Sequence, residues 1–267
     1  DGWLYFKGSG REKGRNPYYR HLYRIRLDGS ELTLLTPENA DHEVAIAATP
    51  YLKTLLTRDQ LAEVDTTGFS PLGNYFIDTL SSVDQPSITV IRKKDGTLVS
   101  TLVQAGISAL EKIGYTPPES FRALAADGIT PIYGNILRPS FFDPSQTYPV
   151  IDSIYPGPQV KRSAVRFDRI VFDASDAQSI AELGFIVITI DGRGTPLRSK
   201  AFFDHMYGDM EKASDLDDHI AAIRQLATIY PSMDVKRVGI YGNSGGGFAS
   251  AHALLKYPEF FKVAVSA

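Results

Sequence analysis

A serine set between glycines where a strand meets a helix constrains this chain more than any other stretch: Gly242-Asn243-Ser244-Gly245-Gly246. Before it, Arg237-Val238-Gly239-Ile240-Tyr241 is an apolar run that reads as a strand; after it, Phe248 to Lys256 reads as a helix. Turning from one into the other within so few residues forces the serine into a strained backbone conformation. Neighbouring atoms are pressed so closely that only very small residues fit at 242 and 246. The same turn sets the hydroxyl at a helix N-terminus, where free N–H groups and the helix dipole favour negative charge. The pentapeptide alone is a weak pattern, but its flanks make it specific.

The sequence around the turn has the rhythm such a unit needs. From Tyr148 onward strands and helices alternate: Tyr148–Tyr155 strand, Ala174–Leu183 helix, Phe185–Ile190 strand, Met210–Ile229 helix, Arg237–Tyr241 strand, the turn and its helix, then Val263–Ser266 strand. That alternation predicts an α/β fold with a largely parallel sheet covered by helices on both faces. Val187-Ile188-Thr189-Ile190 has the near-continuous apolar character of a strand buried on both sides.

The first hundred residues read differently. Asp28-Gly29 and Asp95-Gly96 are hairpin signals among strand-like runs at His21–Leu27, Glu31–Thr36, Tyr75–Leu80, Ser87–Arg92 and Thr97–Val103. Short antiparallel strands at this spacing suit a sandwich, a barrel or propeller blades. Thr54 to Val64 has a helix-like pattern and reads as an insertion. A linker is expected at Glu111–Ser120, stiffened by Thr116-Pro117-Pro118, and a further hairpin at Phe121–Ala126 and Ile129–Leu137. The expected domains are therefore 1–110 and 111–267. Leu4-Tyr5-Phe6 begins strand-like, and Val263 to Ala267 stops within what reads as a buried strand, so the sequence is expected to be a piece of something longer at both ends.

Composition excludes several function classes. A net charge of −3 lacks the basic footprint of a nucleic-acid binder. Zero cysteines remove disulfides and cysteine-ligated metal while leaving the compartment open. No uninterrupted apolar run reaches the length of a membrane span, and Asp1 to Phe6 has no basic region followed by the apolar core of a signal peptide. His21, His42 and His205 have no partner at metal-ligand spacing, so no metal or other cofactor is expected.

The strand–turn–helix unit resembles the nucleophile elbow of the α/β-hydrolases, which implies Ser244 as nucleophile and the Gly245 N–H as one oxyanion donor. The second donor is expected from Tyr155-Pro156-Gly157-Pro158-Gln159. Two prolines there have no N–H, which leaves the Tyr155 hydroxyl as candidate; the plainer alternative is an aromatic packed at a strand end. A serine nucleophile also needs a base and an orienting acid, in the chain order serine, acid, histidine. After Ser244 the sequence holds only His252 and Glu259, in the wrong order. His252, eight positions along the helix, would sit about 12 Å up its axis. Arg193 in Asp191-Gly192-Arg193-Gly194 either braces loops or contacts substrate, whereas the plainer account is a glycine-rich turn with Asp191 bonded to backbone. Asp215, Asp217 and Asp218 read as structural acids near a helix start, and His219 as packing or capping.

With these motifs in order, the chain from Tyr148 onward resembles the prolyl oligopeptidase family, specifically its dipeptidyl peptidase IV branch. The resemblance rests on the tyrosine loop at 155–159, Asp191-Gly192-Arg193-Gly194-Thr195, Tyr207-Gly208-Asp209 and the elbow. It implies an α/β-hydrolase domain, incomplete at its C-terminus, preceded by antiparallel β segments resembling the end of a β-propeller. It further implies a serine peptidase that releases short pieces from peptide N-termini, after proline or a similar small residue, through an acyl-enzyme on Ser244. The partner implied is a peptide substrate, a homodimer being compatible with it. The triad aspartate and histidine would follow Ala267, and the glutamates that hold the substrate amine would precede Asp1. Gly245 stands where the branch usually has a tyrosine, which alters the proline pocket. Alternatives are a carboxylesterase or acyl-aminoacyl peptidase using the same chemistry, and a non-catalytic propeller/hydrolase binding protein.

Overall fold

The computed structural model describes residues 2–44, 68–167, 176–209 and 211–267; the helix expected at Thr54–Val64 lies outside them. The chain divides into two compact units, Asp1–Gly106 and Ile107–Ala267.

The first unit is antiparallel β. β1 (Trp3–Ser9), β2 (Arg20–Arg26) and β3 (Thr33–Leu34) form one sheet in that order, and β4 (Asp41–Glu43), β5 (Tyr75–Ser82), β6 (Gln85–Lys93) and β7 (Leu98–Gln104) form a second, as a simple meander. Both Asp-Gly pairs turn hairpins: Gly29 and Gly96 lie at φ 87° and 92°, and Asp28 and Asp95 accept from the N–H two residues on. The strand expected at Glu31–Thr36 shrinks to two residues, with Glu31 in left-handed backbone at φ 54° where a strand cannot begin. Leu22, Leu35, Val44 and Phe76 make a small core. The fold also assembles what sequence spacing did not show, placing Glu38, His42 and Asp78 with potential ligand atoms within 4.8 Å of one another. Arg92 sits among them, 2.7 Å from Glu38 and 2.9 Å from Asp78, and supplies the countercharge there.

The second unit is an α/β sandwich, the α/β-hydrolase architecture. Among the described residues its helices are α1 (Ser108–Glu111), α2 (Ala177–Ala181), α3 (Lys200–Phe203), α4 (Leu216–Ile229) and α5 (Gly245–Lys256). Its strands are β8 (Glu119–Leu124), β9 (Pro131–Leu137), β10 (Tyr148–Ser153), β11 (Ile186–Asp191), β12 (Met233–Gly242) and β13 (Phe261–Ser266), in spatial order β13-β12-β10-β11-β9-β8. β10 runs parallel to β11 and β12, and β12 to β13. The β8–β9 hairpin joins antiparallel at one edge, so the sheet is mixed. β11 is buried throughout, as its apolar run predicts; each of its isoleucine and valine side chains taken out of water contributes about 1.5–3 kcal/mol. Val150, Ile154, Ile188 and Ile240 face α4 and α5, whereas Val187, Leu137 and Ile151 face α2. The chain thus leaves β10 by one face of the sheet and β12 by the other, so the switch point of the fold lies between these two strands. The helix expected from Met210 begins only at Leu216, because Asp215 takes left-handed backbone at φ 48° and separates it from a 3₁₀ turn at Lys212–Ser214. Among the described residues no helix is long and apolar enough to cross a membrane.

Candidate functional site

Ser244 stands between β12 and α5 with φ 55° and ψ −116°, a conformation that costs a non-glycine residue about 1–3 kcal/mol. Tight packing holds it there. A Cβ on Gly242 would lie 2.5 Å from the Ile154 carbonyl oxygen, and one on Gly246 2.3 Å from the same atom. Gly247 is equally confined, 2.3 Å from the Ala267 carbonyl oxygen. That carbonyl also accepts from the Ser244 N–H at 2.8 Å, while the Ser244 carbonyl accepts from the Phe248 N–H at 2.9 Å. The side chain is exposed and its hydroxyl makes no hydrogen bond among the described residues. Gly245 opens α5, where an N–H has no helical acceptor.

Tyr155 follows β10 on the other side of the switch point, the place where α/β sheets hold ligands. The strand end is fixed to β12 by the Ile154 N–H donating to the Tyr241 carbonyl at 3.0 Å. The half-buried Tyr155 ring lies beside the elbow, with Cε1 3.7 Å from where a Gly245 Cβ would sit. Its hydroxyl has no hydrogen-bond partner among the described residues. Ser244, the Gly245 N–H and Tyr155 therefore come together, from residues about ninety apart in sequence.

Arg193 is placed as a brace. Its guanidinium meets Asp218 at 2.7 Å and Asp127 at 3.1 Å, and its backbone N–H donates to Asp218 at 3.0 Å. Asp218 also accepts from the Ala126 N–H, so one buried carboxylate ties together the β8–β9 turn, the loop after β11 and the start of α4. Burial works against charging Asp218, yet its bonds to Arg193 prevail and hold it below the ordinary carboxylate range. Asp215 shows the opposite result: burial, then the neighbouring Asp218 charge, push it well above that range. Its Oδ2 would lie 2.1 Å from a Gly192 Cβ, which is why residue 192 must be glycine. Asp191 accepts from the Arg162 and Ser163 N–H groups, as the plain turn account requires; burial raises it. A small polar cleft of about 160 Å³ opens between Arg193, His205, Asp215, His252, Lys256 and Tyr257. Neither Ser244 nor Tyr155 lines it.

His219 neither caps nor packs passively. Its Nδ1 lies 2.7 Å from Asp152 Oδ2, both side chains buried. The signal was present in β10, where Asp152 occupies a core-facing position in the alternation Tyr148, Val150, Asp152, Ile154.

Residues 171–267 match the model of the prolyl oligopeptidase family. That stretch belongs to the family. The chain is 29% identical over 267 residues to dipeptidyl peptidase 8 of Homo sapiens, covering 98% of this chain and 27% of that protein. It is 31% identical over 245 residues to a probable dipeptidyl-aminopeptidase B of Emericella nidulans, covering 89% and 24%. It is 26% identical over 280 residues to venom dipeptidyl peptidase 4 of Vespula vulgaris, covering 100% of this chain and 31% of that protein. The chain thus spans about a quarter to a third of the length of these relatives. The dipeptidyl peptidase branch is the one its motifs had indicated.

Proposed function

We propose that this chain carries the nucleophile and oxyanion site of a serine peptidase of dipeptidyl-peptidase type, acting near peptide N-termini after proline or a small residue. The observation that carries the reading is the backbone of Ser244, held at φ 55° by glycines that admit no side chain, with Tyr155 beside it. In the reaction the Ser244 hydroxyl attacks the scissile carbonyl, its proton passing to a base. The developing oxyanion accepts from the Gly245 N–H and the Tyr155 hydroxyl; as it collapses the C–N bond breaks, the amine leaves with the proton held by the base, and water then hydrolyses the acyl-enzyme to regenerate the Ser244 hydroxyl. Arg193 is assigned to bracing rather than substrate contact, since Asp218 and Asp127 occupy its guanidinium. The similarity to dipeptidyl peptidases and a dipeptidyl-aminopeptidase supports the substrate class. We also read residues 1–110 as the end of a β-propeller preceding a hydrolase domain at 111–267. The four-stranded antiparallel meander β4-β5-β6-β7 supports this, having the form of a single blade.

The test is turnover of Gly-Pro p-nitroanilide by the full-length protein, compared with a short p-nitrophenyl ester. Release from the dipeptide, lost in Ser244→Ala, supports the reading. Turnover of the ester alone would favour an esterase.

A further inference from the structure

Asp152 is a carboxylate in the wrong surroundings. It lies on the face of β10 that also carries Val150 and Ile154, within the core packed by Ile220, Ile223 and Ala249, and none of its surface is exposed. Among the described residues its side chain has one hydrogen-bonding partner, His219, and its Oδ1 has none. A carboxylate so placed is tenable only with a countercharge. Two residues further along, the Ile154 carbonyl presses on Gly242 and Gly246; three residues further along stands Tyr155. A displacement of this strand end therefore reaches both the floor of the elbow and the oxyanion donor, because packed interiors transmit shifts rather than absorb them.

We propose that His219 is a positioning residue of the Ser244 site: by pairing with Asp152 it fixes the end of β10, and so sets the Tyr155 hydroxyl against the nucleophile. The proposal rests on reading Ser244 as nucleophile and Tyr155 as oxyanion donor. The carboxylates acting on His219 are Asp152 from β10, which it contacts, then at longer range Asp218 beside it on α4 and Asp191 from β11. Burial opposes the imidazolium, but these three carboxylates outweigh it, so the cation persists above the ordinary histidine range. When it loses its proton as pH rises through that raised value, the pairing with Asp152 is weakened and the strand end is released. The site should then weaken in rate rather than in substrate affinity.

The experiment is a double-mutant cycle on the full-length protein, using Gly-Pro p-nitroanilide turnover and fluorophosphonate labelling from neutral to alkaline pH. His219→Gln keeps a donor toward Asp152 and removes the charge. It is expected to lower kcat about tenfold with KM little changed, and to flatten the fall in rate as pH rises. Tyr155→Phe, costing about a hundredfold in the wild type, should cost far less in the His219→Gln background. Losses that multiply, or a His219→Gln enzyme with wild-type kcat and pH profile, overturn the proposal while leaving Ser244 in place. If His219→Gln does not fold, Asp152→Asn/His219→Gln, with a neutral buried pair, takes its place in the cycle under the same criteria. Full turnover and labelling in Ser244→Ala would instead overturn the underlying reading, and the proposal with it.

Discussion

Around Ser244 the glycines differ in the room available to them, and that difference is measurable. An added methyl at Gly242 or Gly246 meets backbone at 2.5 and 2.3 Å, whereas at Gly245 it finds only ordinary contacts at 3.7 Å. Gly242→Ala and Gly246→Ala should each destabilise by about 1–3 kcal/mol or more, with loss of Ser244 reactivity. Gly245→Ala should fold normally, as judged by thermal midpoint and labelling; equal damage at all three positions would contradict the elbow geometry. Asp215 offers a second test at this scale. Its folded pKa stands well above the ordinary 3.8, so stability is full below that value and falls as pH climbs through the window up to the raised one. Asp215→Asn removes that slope, and asparagine tolerates the left-handed backbone at φ 48°. The variant should match the wild type near pH 4 and melt higher at pH 7. A lower midpoint at pH 7 would show that the ionised carboxylate is stabilising.

Among elements, α4 has the widest reach. Gln225 bonds the Leu124 N–H and carbonyl at the end of β8, Asp218 holds Arg193 and the Ala126 N–H, and His219 holds Asp152. Arg193→Leu strands a buried carboxylate and should cost about 3–5 kcal/mol in denaturant unfolding; a loss under 1 kcal/mol would reduce the brace to a surface pair. The His219–Asp152 pair also gives the second unit an upper pH limit. With His219 raised above its ordinary 6.5, its contribution is complete below that pH and disappears as pH rises through the folded value. Thermal midpoints should therefore fall as pH climbs from 6.5 through the raised value in the wild type, and less so in His219→Gln. Such elements show which parts of the structure could be read in advance. The Asp-Gly hairpins, the buried β11 and the strand-to-helix turn at Ser244 depend on neighbours in sequence, and the residues announced them. The start of α4 was misplaced because a run of acids suits a helix start wherever it occurs, and only the tertiary fit of Asp215 against Gly192 fixes the break. His42 on Asp78, Arg92 on Asp78 and His219 on Asp152 join residues 14 to 67 apart. Nothing local encodes such pairings.

At the scale of the molecule, an antiparallel β unit precedes an α/β-hydrolase unit whose switch point brings Tyr155 to Ser244. Among the described residues no histidine is hydrogen-bonded to Ser244. The 267 residues expressed by themselves are accordingly expected not to hydrolyse Gly-Pro p-nitroanilide, and rapid turnover by them would reveal a base that this geometry does not show. The most direct measurement is fluorophosphonate labelling of the full-length protein with the modified peptide mapped by mass spectrometry. The account predicts one adduct, on Ser244, absent from Ser244→Ala. An adduct on another serine, or none from a preparation that turns over the dipeptide substrate, would contradict it.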